Sequence, residues 1–181
     1  MKVSLLYTLP VTGRGMAKSD SFFIRATVLT DGTTYNQSSI DLGSFVDALG
    51  KTVLRIHNAS ISYGSPLDVP FVGVNGAGLT AFQLTTQSQT ALVGADNRST
   101  ISSGSLYVAS GGTPNSTTAV TQVLDIAPQE WTGGYLVAVE SIFLGVDQVA
   151  LDIVDQVTIV LECTVETMTA AASMALALSQ Q

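Results

Sequence analysis

The side chains able to do chemistry are few and scattered. His57 is the sole histidine and Cys163 the sole cysteine. A Ser-His-Asp or Cys-His system would have to use His57, but its neighbours Arg55 and Asn58 form no catalytic motif. It reads as a hydrogen-bonded histidine in a strand. Cys163 cannot make an internal disulfide, and it falls on the apolar side of its segment. It reads as a small buried hydrophobe rather than a reactive thiol. One histidine and one cysteine do not build a zinc site.

The carboxylates do no better. Glu162 and Glu166 share one side of an extended segment, which separates them by roughly 13 Å. The paired carboxylates of a retaining glycosidase sit about 5 Å apart. Asp147, Asp152 and Asp155 fall in a loop and offer oxygen to a hard cation, but their spacing matches no calcium loop, so they read as solvated acids. The glycine-rich run Gly73–Gly78, GVNGAG, lacks the Lys-Ser/Thr of a phosphate loop and no helical pattern follows it. Asn36, Asn58, Asn97 and Asn115 each begin an N-x-S/T sequon, a pattern that arises by chance in a chain so rich in Ser and Thr. Trp131 and Tyr135 are too few for a carbohydrate-binding platform. The sequence therefore assigns no catalytic, cofactor-binding or metal-binding residue, and an enzyme is not the expected reading.

The elements that would position these residues are mostly strands. In Gln156–Met168, QVTIVLECTVETM, Val157, Ile159, Leu161, Cys163 and Val165 alternate with Thr158, Val160, Glu162, Thr164 and Glu166. Such period-two alternation predicts a long strand with one dry face. A lone strand is unstable and needs a sheet and a second layer. Ser21–Leu29, Thr34–Leu42, Thr52–Tyr63, Leu79–Thr86, Thr100–Ala109, Ala119–Ile126 and Tyr135–Leu144 supply seven more candidates. Asp31-Gly32 between the first two suggests a hairpin. Neither side of Thr52–Tyr63 is wholly apolar, which predicts a bulge or a crossing between sheets. The near-continuous apolar run Tyr135–Leu144 predicts a central strand. Ser44–Leu49 reads as a short helical turn closed by Gly50. No repeat and no long helix is visible. Eight strands between turn signals predict an all-β, antiparallel β-sandwich or barrel.

The ends differ from this body. Met1–Asp20 reads as an arm, with one apolar patch, Val3–Leu9, followed by Pro10, Gly13 and Gly15. It is either disordered or laid along a neighbour. Thr169–Gln181, TAAASMALALSQQ, is rich in helix formers but marginal as an isolated helix. It reads as a tail that orders against a partner. The expected organisation is an arm over 1–20, a sandwich over 21–168 and a tail over 169–181.

Charged residues form 12% of the 181-residue chain, about half the usual share. Protein interfaces are depleted in charge at their cores, so a neutral surface of hydroxyls and amides suits a subunit covered by neighbours. Residues 1–60 carry six basic and four acidic groups (+2), and residues 61–181 carry one basic and ten acidic (−9), which sum to the net −7. An acidic body does not bind nucleic acid by neutralising phosphates. No window is long and apolar enough for a membrane helix, and the start lacks a signal-peptide cleavage pattern.

Eight strands, an N-terminal arm, a C-terminal tail and a neutral surface resemble the single jelly-roll coat proteins of icosahedral viruses. In this likeness SFFIRATVL and QVTIVLECTVET are outer members of the roll. The resemblance implies a structural protein of the virion that associates in many copies into a capsid shell, alone or with other coat proteins. Members that package RNA directly commonly carry a basic arm, and Met1–Asp20 is not one. Direct nucleic-acid binding is therefore not expected, and a shell over an internal membrane or another intervening layer stays open. Contacts are expected at the arm, the tail and the loops Gly64–Gly78 and Ser110–Thr118. The alternative is a lectin-like or phage tail or fibre binding module.

Overall fold

The computed structural model describes residues 19–47, 51–67, 76–110, 117–119, 129–149 and 154–180. Most of the arm, the centres of the two contact loops, Ala119–Ile126 beyond Ala119, Asp152 and Asn115 lie outside them. The strands run β1 (Phe22–Leu29), β2 (Asn36–Asp41), β3 (Thr52–Tyr63), β4 (Ala77–Thr85), β5 (Thr100–Ser110), β6 (Thr117–Ala119), β7 (Gln129–Val137), β8 (Ser141–Gln148) and β9 (Gln156–Thr167). Among the described residues one helix, α1 (Ala170–Ser179), follows.

The strands form two sheets, ordered β1-β9-β3-β7 and β2-β8-β4-β5-β6. Every ladder is antiparallel. The chain changes sheet after β1, β2 and β3, and again after β6, β7 and β8. This interleaving, with first and last strands paired, is a jelly roll of eight long strands plus the short edge strand β6.

The pairing of β1 with β9 follows from matched dry faces. Phe22, Ile24, Ala26 and Val28 stand opposite Cys163, Leu161, Ile159 and Val157. The β1–β2 hairpin suggested by Asp31-Gly32 does not form. The turn is closed by a bridge between Asp31 and Thr34, but it carries the chain from one sheet to the other. Two local ties hold this corner: Asn36 Nδ2 donates to Leu29 O at 2.9 Å, and Thr30 Oγ1 donates to Val154 O at 2.6 Å. A distant strand with four matched apolar residues outcompetes a sequence-local partner.

The run Tyr135–Leu144 is likewise not one strand. It ends β7 at Val137 and begins β8 at Ser141, in the opposite sheet. The run is apolar on either side of Glu140-Ser141 because both of its faces are covered. Val137 and Ile142 enter the core, while Ala138 and Leu136 meet α1 on the outside.

The bulge expected in β3 falls at His57. Ile56 pairs with Cys163 and Asn58 with Glu162, so His57 is the extra residue. A bulge reverses which side later residues face. Leu54 and Ile56 before it, and Ala59, Ile61 and Tyr63 after it, all reach the same core. Neither alternating set alone was apolar because the strand changes phase midway.

The core lies between the sheets. Phe82, Leu84, Ile142, Leu144, Ile56 and Leu161 are among its fully buried side chains. The segment after β2 closes one end. A turn there has the Phe45 and Val46 amides donating to Leu42 O, and it stacks Phe45 on Phe22 with ring centroids 4.8 Å apart.

Helix α1 is capped by Thr169, whose Oγ1 accepts from Ala172 N at 3.3 Å. It docks on the outside of the four-stranded sheet through Ala177 against Val53 and Ala138, flanked by Leu136, Met168 and Leu176. Gln180 locks its end: Nε2 donates to Leu136 O at 2.6 Å, and Oε1 accepts from Ala138 N at 3.0 Å. Ser173 Oγ is buried on the docked side with no hydrogen-bond partner among the described residues. Replacing a stranded hydroxyl by alanine removes a desolvation cost and raises helix propensity. Ser173→Ala is therefore expected to stabilise the fold by about 1 kcal/mol, read as a higher denaturant midpoint at unchanged slope.

Candidate functional site

The outer face of the β1-β9-β3-β7 sheet gathers Arg55, His57, Asn58, Glu162 and Glu166. It has three zones along its width, built by residues that alternate with the core-facing set.

The first zone centres on Arg55 and Glu166. Arg55 Nε and Nη2 donate to Glu166 Oε1 and Oε2 at 2.6 and 2.7 Å, a bidentate pair joining β3 to β9. Arg55 Nη1 donates to Gly133 O. Gly134 makes room for this guanidinium arm: its φ is +79°, and a Cβ there would come within 2.5 Å of Arg55 Cγ. The Gly133-Gly134 pair, both at positive φ, is thus a kink inside β7. The Arg55 pKa is held above its ordinary value by the Glu166 hydrogen bonds, with burial opposing.

The second zone is the bulge. His57 Nε2 meets Thr164 Oγ1 at 3.0 Å, and Asn58 Nδ2 donates to Glu162 Oε2 at 2.8 Å. Glu162 and Glu166 are therefore each engaged by a different β3 side chain. His57 is tied to a hydroxyl, as a strand histidine with a structural partner would be. Cys163 lies behind them in the core; burial, aided by the Glu162 charge, pushes its thiol up to about 12. A thiol so buried and so weakly acidic is not a nucleophile at neutral pH.

The third zone is β1. It is the edge strand of its sheet, and its outward side carries Phe23, Arg25, Thr27 and Leu29. Phe23 is 54% and Leu29 62% exposed. The Arg25 guanidinium lies over the Phe23 ring, 5.5 Å from its centroid. Thr27 and Thr158 hydroxyls meet across the strands at 2.9 Å.

The chain is similar in structure to virus coat proteins. The coat protein of desmodium yellow mottle tymovirus aligns with a TM-score of 0.37 and 14% identity, over 92% of this chain and 95% of that one. That of empty-head turnip yellow mosaic virus gives 0.37 and 14%, over 93% and 90%. Washington University polyomavirus VP1, as an unassembled pentamer, gives 0.39 and 10%, over 89% and 95%. No protein-family model and no curated protein matches the sequence. The jelly-roll assignment rests on the strand order itself.

The remaining sequence candidates disperse. Asp147 lies in β8 and Asp155 just before β9, and among the described residues no three His, Cys, Asp or Glu side chains gather as a metal site would require. Asn36 and Asn97 are tied to backbone: Asn36 to Leu29 O, and Asn97 Oδ1 accepts from Ser99 N at 2.9 Å. Trp131 and Tyr135 pack together against the core, with centroids 6.0 Å apart.

What sequence reading missed is the use of glutamine inside the fold. Gln83 is buried; Nε2 donates to Tyr35 Oη at 2.9 Å and Ala91 O at 3.0 Å, while Oε1 accepts from Val93 N at 2.7 Å. It straps the segment after β4 across the second sheet. Gln148 does the same near β9, accepting from Thr80 Oγ1 and donating to Val154 O. Part of the hydroxyl and amide content that reads as surface for neighbours is spent within the subunit. No periodicity marks such residues, because a polar side chain at an outward position looks alike whether a loop or water covers it.

Proposed function

We propose that this chain is a structural subunit that self-associates in many copies into a closed shell of the viral capsid type, located in the virion. The observation that carries the reading is β1. It is an eight-residue edge strand whose outward side exposes Phe23 and Leu29 and whose one cation, Arg25, rests on an aromatic ring. An unprotected edge is a template for another chain unless charge, proline or a covering element blunts it, and β1 lacks proline and any carboxylate. A chain with only 12% charged residues supports the same reading, since uncharged polar groups can be buried between subunits without the desolvation cost of ions. The acidic body supports no direct contact with a genome, and among the described residues no helix is long and apolar enough to cross a membrane.

Sedimentation velocity of the full chain from micromolar to near-millimolar concentration, across several salts, tests this. Oligomers growing to megadalton particles are the expected result. A species that stays monomeric throughout overturns it, and a fixed small oligomer points to a binding module. Phe23→Glu with Leu29→Glu is expected to weaken association by at least about tenfold, as burial of two unpaired charges at an interface core would. The fold should be retained, because both side chains point away from the core.

A further inference from the structure

Among the described residues four strands end the two sheets: β1, β7, β2 and β6. Three of them are poor templates for a further strand. β6 has three residues, β7 is kinked at Gly133 and Gly134, and β2 has six residues and ends on Asp41. β1 keeps one unbroken register with β9 over eight residues. Its core-facing side is incompletely covered: Phe22, Ile24 and Ala26 are half-buried, while Val28 is buried. On its outward side Phe23 and Leu29 are exposed. A strand laid against the free edge of β1 would cover both sides at once.

We propose that β1 pairs with β1 of a second copy, antiparallel about a two-fold axis at Ala26, so that the four-stranded sheets of the two copies join into one. The pairing rests on the reading of β1 as the association edge, and it names the occupant and the register. Directly opposite residues of an antiparallel pair lie on the same side, and a one-residue slip would set the outward side of one copy against the core side of the other. Matched sides therefore need the axis to pass through a residue. An axis at Arg25 sets guanidinium against guanidinium, a destabilising pair. Axes at Ile24 or Thr27 carry Leu29 or Phe23 past the end of the copy's strand. An axis at Ala26 places Phe23 opposite the copy's Leu29 and Arg25 opposite its Thr27 on the outward side, each twice. On the core side it places Ile24 opposite Val28.

Two further observations fit this register. The Arg25 guanidinium leans over Phe23, 5.5 Å from the ring centroid, and so away from the axis. No proline and no carboxylate interrupts the strand. The contact is small beside the roughly 1,200–2,000 Å² buried in stable complexes, so the pair is a reversible, concentration-dependent dimer.

Cysteine pairs read the register. A disulfide needs Cα atoms within about 7 Å. Directly opposite residues stand about 4.5–5.5 Å apart, and diagonal ones about 7–8 Å. The native Cys163 is buried and stays out of the reaction. Under mild oxidation, an equal mixture of Arg25→Cys and Thr27→Cys chains is expected to cross-link at least about tenfold faster than either chain alone. A second series needs no cross-link. Thr27→Glu faces the copy's Arg25 and is expected to tighten dimerisation, while Thr27→Lys weakens it, with dissociation constants at least about tenfold apart in sedimentation equilibrium. The net charge of −7 would give the opposite order if overall repulsion alone mattered. Absence of cross-linking in the mixture, Arg25→Cys linking to itself as fast as in the mixture, or Thr27→Lys associating as well as Thr27→Glu overturns the pairing. Megadalton particles without the 25–27 cross-link overturn it and leave the shell reading standing. A cross-linked dimer that grows no further supports the pairing and overturns the shell reading. Circular dichroism of each variant confirms that the sheets persist.

Discussion

Phe82→Ala is expected to cost about 3–5 kcal/mol of folding stability, the largest effect of any single truncation considered. Phe82 is among the largest fully buried side chains. It lies in β4 at the centre of the second sheet, and its ring meets Tyr63 of the first sheet edge-on at 6.2 Å. Truncation removes apolar surface and leaves a hole that the closed architecture cannot collapse around, since both flanking strands of β4 are paired on both sides. Urea denaturation followed by Trp131 fluorescence checks it. A loss below 1 kcal/mol would mean the sheets are not packed through this ring. If the subunit associates as proposed, the same variant should yield far less assembled material, because the folded monomer feeds every later step.

The second large effect concerns Arg55 and Glu166. The side chains are 19% and 7% exposed, so this is a partly buried ion pair. Glu166→Ala leaves the guanidinium held against Gly133 O with its countercharge gone, and about 3 kcal/mol is expected to be lost. Arg55→Met combined with Glu166→Leu removes both charges together. That double variant is expected to recover to within about 1 kcal/mol of the parent, or to exceed it, because replacing a buried pair by apolar groups is often neutral. Equilibrium unfolding of Arg55→Met, Glu166→Leu and the double variant closes the cycle. A double variant as unstable as Glu166→Ala would show that the pair contributes through its hydrogen-bond geometry at the β7 kink rather than through charge compensation.

The pair also shows where reading letters stops. An arginine in a strand and a glutamate in another are visible as departures from a clean pattern, and each asks for a partner. Nothing local says that β3 and β9 are neighbours, or that Arg55 and Glu166 share a side after the register is set. The bulge at His57 has the same character. Its presence is implied by an alternation that fits neither face, but its position is fixed only by two ladders that slip at the same residue.

Period-two patterning determined the all-β class and the dry face of β9, because a pleated strand must put its apolar residues on one side and each strand carries that record in its own letters. Tertiary structure alone decided that Asp31-Gly32 turns between sheets rather than within one, that Tyr135–Leu144 belongs to two strands, and that glutamines such as Gln83 face protein instead of water. It also placed α1 on the outside of the sheet, with Ala177 docked and Met174 and Leu178 exposed. These outcomes depend on which surfaces meet. That is settled by matching faces across more than a hundred residues of chain, as in the pairing of Phe22 with Cys163, and no short window of sequence contains both partners.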